Sequence, residues 1–212
     1  MSAKTTPYTL SVGTEVHSDT IRSAKAHLKQ EFGNKYDADP HFNFIIMAMP
    51  LNKAKDIELT LNNYFKDKKP LKLKLGNLHY EEKQRFYSIP IVGEEIMAIH
   101  SELIEILNPL RDDYIREKDL VRINEGKTDK LEEEYIHKYG YLRVLSKFTP
   151  HITIGNLQTE NVDLGSITNN LNNILGNLYG STLNITELRA DLIEDAQVQT
   201  DYKRLWNKTY KL

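Results

Sequence analysis

Two short segments of this sequence repeat one arrangement of polar and apolar side chains: PHFNF, with His41 and Asn43, and PHITI, with His151 and Thr153. In an extended strand, residues i and i+2 share a face. His41 and Asn43 therefore point one way and Phe42 and Phe44 the other. His151 and Thr153 likewise stand opposite Ile152 and Ile154. The apolar sets face a core, and the polar sets must face water or a ligand, because a buried imidazole without a partner is costly.

Two imidazoles flanking one phosphate can divide the work of phosphodiester cleavage. Near neutral pH one is a neutral base and the other a protonated acid. The base takes a proton from an attacking water or hydroxyl, and the acid protonates the leaving oxygen. Each role is typically worth about 10²–10⁴ in rate. The amide of Asn43 and the hydroxyl of Thr153 can donate to non-bridging phosphate oxygens as charge builds there. This chemistry requires no metal, and the chain offers no convincing metal-ligand spacing. A binding module that holds a phosphate between the same two histidines is the alternative reading.

The elements that must position these residues follow from periodicity and turn signals. Tyr8–Val16 reads as a first strand, and Ser18 or Asp19 caps a helix that Gly33 ends. Pro40 introduces HFNFIIMAMP, an apolar strand that Pro50 ends. A second helix spans about 53–66, strands follow over 71–82 and 85–92, and a third helix covers about 94–107. Residues 109–145 are densely charged and read as a helical insertion. HITIGNL is again a strand, followed by a helix over about 162–178, a strand over 183–194 and a closing strand over 202–212. Each half thus runs from a Pro-His strand through a helix to a long alternating strand and a final one. We expect a single domain over residues 1–212, an α+β fold of two pseudo-symmetric β-α-β-β lobes forming a concave groove with His41 and His151 at its floor.

At this point the sequence resembles the two-histidine (2H) phosphoesterases, whose signature is His-hydrophobe-Ser/Thr-hydrophobe used twice about a hundred residues apart, often after Pro. The family includes bacterial 2′-5′ RNA ligase-like proteins and cyclic nucleotide phosphodiesterases. PHITI matches the second motif in full. PHFNF departs from the first, since Asn43 stands where the family usually has Ser or Thr. The resemblance implies cleavage of a small nucleotide or RNA-terminal phosphodiester, with a 2′,3′-cyclic phosphate, a 2′-5′ linkage or a cyclic oligonucleotide as substrate and no cofactor.

Composition narrows the classes. The chain has 212 residues, 40% of them hydrophobic and 27% charged, as expected of a globular protein. It has no cysteine, which excludes disulfides, thiolate zinc sites and a cysteine nucleophile. The formal net charge of −2 argues against a partner as long as duplex nucleic acid. No apolar run suits a membrane span, and MSAKTTPYTL lacks the apolar core of a secretory signal, so a cytoplasmic location is expected. Tyr80, Tyr141 and Arg143 are the further candidates for lining the groove. His17, His27, His100 and His137 read as structural or solvent-exposed, and His79 as a surface or turn residue with groove lining as the alternative.

Overall fold

The computed structural model describes residues 8–33, 38–194 and 204–212. The strands are β1 (Tyr8–Glu15), β2 (His41–Ala48), β3 (Leu71–Leu75), β4 (His79–Glu81), β5 (Phe86–Val92), β6 (His151–Asn156), β7 (Thr182–Ile185), β8 (Glu187–Glu194) and β9 (Arg204–Lys211). The helices are α1 (Asp19–Phe32), α2 (Ala54–Phe65), α3 (Glu94–Leu107), α4 (Glu117–Asn124), α5 (Lys130–Tyr139) and α6 (Leu164–Leu175). Ser18 caps α1 by accepting from the Ile21 amide, and Gly33 ends it at φ +68°.

Two antiparallel sheets result. Sheet 1 runs β2-β1-β8-β9. In sheet 2, β5 pairs with β3, β4 and β6, and β7 adds to β3. The two-lobed α+β architecture expected from the sequence is therefore present, but the lobes are not consecutive halves. Sheet 1 joins the first two strands to the last two, and sheet 2 takes everything between. The alternating run 71–82 is two strands, interrupted at Gly76–Leu78, and the run 183–194 breaks at Thr186. Its first part, β7, belongs to sheet 2 and its second, β8, to sheet 1. Part of the closing strand's expected span, Tyr202 and Lys203, lies outside the described residues.

The two histidine strands are edge strands with the same anatomy. From the histidine onward, both alternate between half-buried and buried positions for four residues, then place two buried residues in succession, Phe44-Ile45 and Ile154-Gly155. A β-bulge causes the break in each case. Gly13 of β1 faces Asn43 while Val12 faces Ile45, leaving Phe44 over. On β5, Ser88 faces Thr153 while Tyr87 faces Gly155, leaving Ile154 over. Phe42, Phe44, Ile152 and Ile154 enter one apolar core with helices α1, α2, α3 and α6.

The helices cross between lobes. α1 follows a sheet 1 strand yet packs on β6 and α6, and α3 follows a sheet 2 strand yet packs on β2. The charged segment holds α4 and α5. Asp129 and Glu132 form a capping box at the start of α5, and Gly140 at φ +70° ends it. Arg116, 3% exposed, bonds Asp119 of α4 at 2.5 Å and ties this segment to sheet 1 through Thr9 Oγ1 at 2.8 Å.

Candidate active site

The starts of β2 and β6 bring His41, Asn43, His151 and Thr153 to one cavity of about 150 Å³. Each histidine is fixed in the same way. His41 Nδ1–H donates to the Asp39 carbonyl at 2.7 Å, and His151 Nδ1–H to the Thr149 carbonyl at 2.6 Å. A carbonyl can only accept, so in the neutral ring Nδ1 carries the proton and Nε2 the lone pair. The two rings thus share one tautomer, with Nε2 as the acceptor in each.

Both imidazoles are held below the ordinary value of 6.5. Burial is the main cause for each, and the bond to the backbone carbonyl partly offsets it. The positive charges of Lys25 and Arg189 add to the depression at His41, while Glu15 opposes it. Arg143 does the same at His151, where charge on His41 or His79 would push further down. Both rings are therefore neutral at pH 7 before a ligand binds. The negative charge of an arriving phosphodiester would favour protonating one of them, which restores an acid beside a base.

The wall of the cavity comes from the return segment between α5 and β6. Tyr141, Arg143, Phe148 and Thr149 line it. A larger basin of about 770 Å³ continues from His41, Asn43 and Tyr141 over the open face of sheet 1. Small side chains on β1, Thr9, Ser11 and Gly13, leave room for it. Its sides carry Arg116, Lys118 and Arg122 from the charged segment, and Arg189, Asp191 and Arg204 from β8 and β9. Arg189 is paired with Glu15 and Asp191, and Arg204 with Asp191.

Tyr80 corrects the sequence reading. It lines neither cavity and stands opposite Tyr87, their ring centroids 4.7 Å apart, on the face that packs against the core. Strand parity explains the placement. The neighbouring position, His79, is in register with Ser88, which is in register with Thr153, so His79 takes the groove face and Tyr80 the other. His100, expected to be structural or exposed, is wholly buried.

Phe148, Thr149, Gly13, Arg116, Arg189 and Lys25 were not singled out from the sequence. Loop residues next to PHITI carried a proximity signal, whereas Lys25 reads as one more lysine on an amphipathic helix. Among the described residues, no three His, Asp or Glu side chains come together as a metal site, and no helix is long and apolar enough to cross a membrane.

A family described as "Protein of unknown function (DUF1045)" matches residues 49–199. The chain belongs to this family. The matched span includes His151 and Thr153 and begins after His41. A comparison with curated proteins gave no match. Solved structures extend the likeness to nearly the whole chain. TT0787 of Thermus thermophilus superposes with a TM-score of 0.60 at 12% identity, over 95% of this chain and 97% of that one. A structure described as a phosphoesterase gives 0.55 at 13% identity, over 97% and 99%. E. coli LigT complexed with NADP+ gives 0.53 at 13%, over 97% and 99%. At these identities the likeness is one of fold, and it is the two-lobed 2H phosphoesterase fold that PHFNF and PHITI led us to expect.

Proposed function

We propose that this DUF1045 family member is a phosphodiesterase that cleaves a small nucleotide or RNA-terminal phosphodiester by metal-independent two-histidine acid/base catalysis. The observation that carries the reading is the matched pair of bonds at His41 and His151, which puts two rings of the same tautomer on the lining of one small cavity. A structural histidine pair has no need of that symmetry.

With a 2′,3′-cyclic phosphate, one histidine takes a proton from water through Nε2 as the water oxygen bonds to phosphorus. The other, protonated at Nε2, gives its proton to the ring ester oxygen as the phosphorus–oxygen bond breaks. The proton count is restored when the two imidazoles exchange their state through solvent. With a 2′-5′ linkage, an adjacent ribose hydroxyl takes the place of water in the first step. Asn43, Thr153 and Arg143 receive the non-bridging oxygens, where negative charge is concentrated. The basin over sheet 1 has the size of an ordinary small-molecule site and is suited to the remainder of a nucleotide.

The departure at Asn43 favours one second reading, a phosphate-binding module that turns nothing over. A panel of 2′,3′-cyclic, 2′-5′-linked and cyclic oligonucleotides, assayed with EDTA, separates the two. Turnover that survives EDTA and is lost in His151→Ala, with binding retained, supports the enzyme. Binding without turnover by the unaltered protein supports the module, and activity abolished by EDTA would sink the metal-free mechanism. The cytoplasm is the compartment we assign to this activity.

A further inference from the structure

β2 and β6 approach each other with His41 and His151 at their starts, yet among the described residues they exchange no ladder bonds. Each is an edge strand whose regular partner lies on its far side. The spacing between the two catalytic rings therefore has to be set by something other than sheet pairing.

The bulges show what does it. A bulge leaves one residue out of the ladder, and its buried carbonyl must find another donor. The residue left over in β2 is Phe44, three positions after His41. Its carbonyl accepts from Nδ1–H of His100 at 2.6 Å. The residue left over in β6 is Ile154, three positions after His151. Its carbonyl lies 3.5 Å from Nζ of Lys25, which also donates to the neighbouring Thr153 carbonyl at 3.2 Å. His100 is 0% exposed and Lys25 8%. The donors cross the seam in opposite directions, since α3 follows sheet 2 and reaches β2, while α1 follows sheet 1 and reaches β6.

His100 has a second attachment. Its Nε2 accepts from the Leu145 amide at 2.8 Å, and its ring stacks on Phe148 at 3.8 Å and 7°. Leu145 stands at φ +50°, a left-handed conformation that a leucine adopts only under local constraint. One side chain therefore holds β2 and also the segment that carries Arg143, Phe148 and the Thr149 carbonyl to the cavity.

We propose that Lys25 and His100 are positioning residues that set the gap between the two histidine strands, each taking the carbonyl that a bulge releases. For its kinetic arm this rests on the two-histidine reading, and for its structural arm it does not.

The test uses the full chain with Lys25→Met, Lys25→Arg, His100→Leu and His100→Gln. Hydrogen–deuterium exchange is followed in peptides spanning 41–48, 151–156 and, as control, β8. Lys25→Met should speed exchange selectively in 151–156, and His100→Leu in 41–48 and at Leu145, while β8 is unchanged. Arginine and glutamine, which keep donors at these positions, should restore most of the protection even where methionine or leucine impairs folding. On a cleaved substrate, kcat should fall about tenfold to hundredfold with KM within about twofold, as expected when reacting groups are displaced by about an ångström. Uniform loosening of all strands, or unchanged exchange in folded Lys25→Met and His100→Leu, would overturn the proposal. So would selective loosening with an unchanged kcat. If the unaltered protein turns nothing over, the two-histidine reading fails and the exchange pattern alone decides the role of the two side chains.

Discussion

Asn43 Oδ1 occupies the place where a side chain at residue 13 would begin: a Cβ built on Gly13 would lie 2.5 Å from it. The β1 bulge partner and the polar companion of His41 are thus fitted to each other. A methyl group there would also press on the Phe42 backbone, which cannot swing aside. Gly13→Ala should destabilise the fold by about 1–3 kcal/mol and displace Asn43, both seen by thermal melting beside a kcat measurement. Asn43→Ala, which leaves the backbone alone, should keep the melting temperature and lower kcat about 10²-fold, the usual effect of losing one oxyanion donor. Unchanged kcat in Asn43→Ala would remove that residue from the mechanism.

The two histidines should act as a unit. His41→Ala and His151→Ala should each lower kcat by about 10²–10⁴. The double variant should cost little more than the worse single one, because acid and base serve one event. Rate losses that simply multiply would argue that the two rings serve separate steps.

Arg143 lines the histidine cavity half-buried, and among the described residues no ion pair holds it. A charge-assisted bond to a phosphate oxygen contributes about 1.5–3 kcal/mol. Arg143→Ala should therefore raise KM or the phosphate Kd about tenfold or more with the fold intact. Calorimetry with inorganic phosphate and a cyclic nucleotide reads this directly.

Stability should fall on acidification. Burial holds His41, His100 and His151 below 6.5 in the folded chain. The unfolded chain then takes up protons at 6.5 that the folded chain refuses until a lower pH. These groups' contribution is complete above 6.5 and is lost as pH drops from there through the depressed folded values. Melting temperatures measured between pH 8 and 5 should decline through that window. His100→Gln, which cannot titrate, should flatten part of the decline, and an identical slope in the variant would count against a neutral buried His100.

The attachment of α4 should depend on a buried ion pair. Arg116 and Asp119 are 3% and 1% exposed, and the guanidinium also lies 5.3 Å from the Tyr141 ring. Asp119→Ala removes the carboxylate 2.5 Å from the buried guanidinium, and breaking a buried pair in this way typically costs about 3–5 kcal/mol. Denaturant unfolding should show that loss. A change under about 1 kcal/mol would mean that this pair contributes little to holding α4.

What could be read from the sequence was governed by how locally each feature is encoded. PHFNF and PHITI announce the site because strand parity needs only five residues. The α5 box at Asp129 and Glu132 and the Gly33 stop are local too. The bulges are not: Phe44 and Ile154 look like ordinary apolar strand residues, and their release from the ladder depends on partner strands distant in the chain. Thr186 carries no signal that the chain leaves one sheet for the other there. Tyr80 was misplaced because the break at Gly76–Leu78 resets the alternation. Lys25 and His100 were passed over since a helix pattern shows that a side chain is near the core, not which carbonyl it meets.

Sheet 1 pairs Tyr8 with Glu194 and Leu188 with Tyr210, so the strand beside His41 is flanked by segments made at opposite ends of synthesis. Contacts of such long separation are slow to form. On the ribosome β2 has β1 to pair with early, but the basin face beyond β1 is missing until β8 and β9 emerge. A nascent chain stopped after α6 would thus hold both histidines and still lack Arg189, Asp191 and Arg204, leaving the site without one side and the β1 edge open to association with other chains.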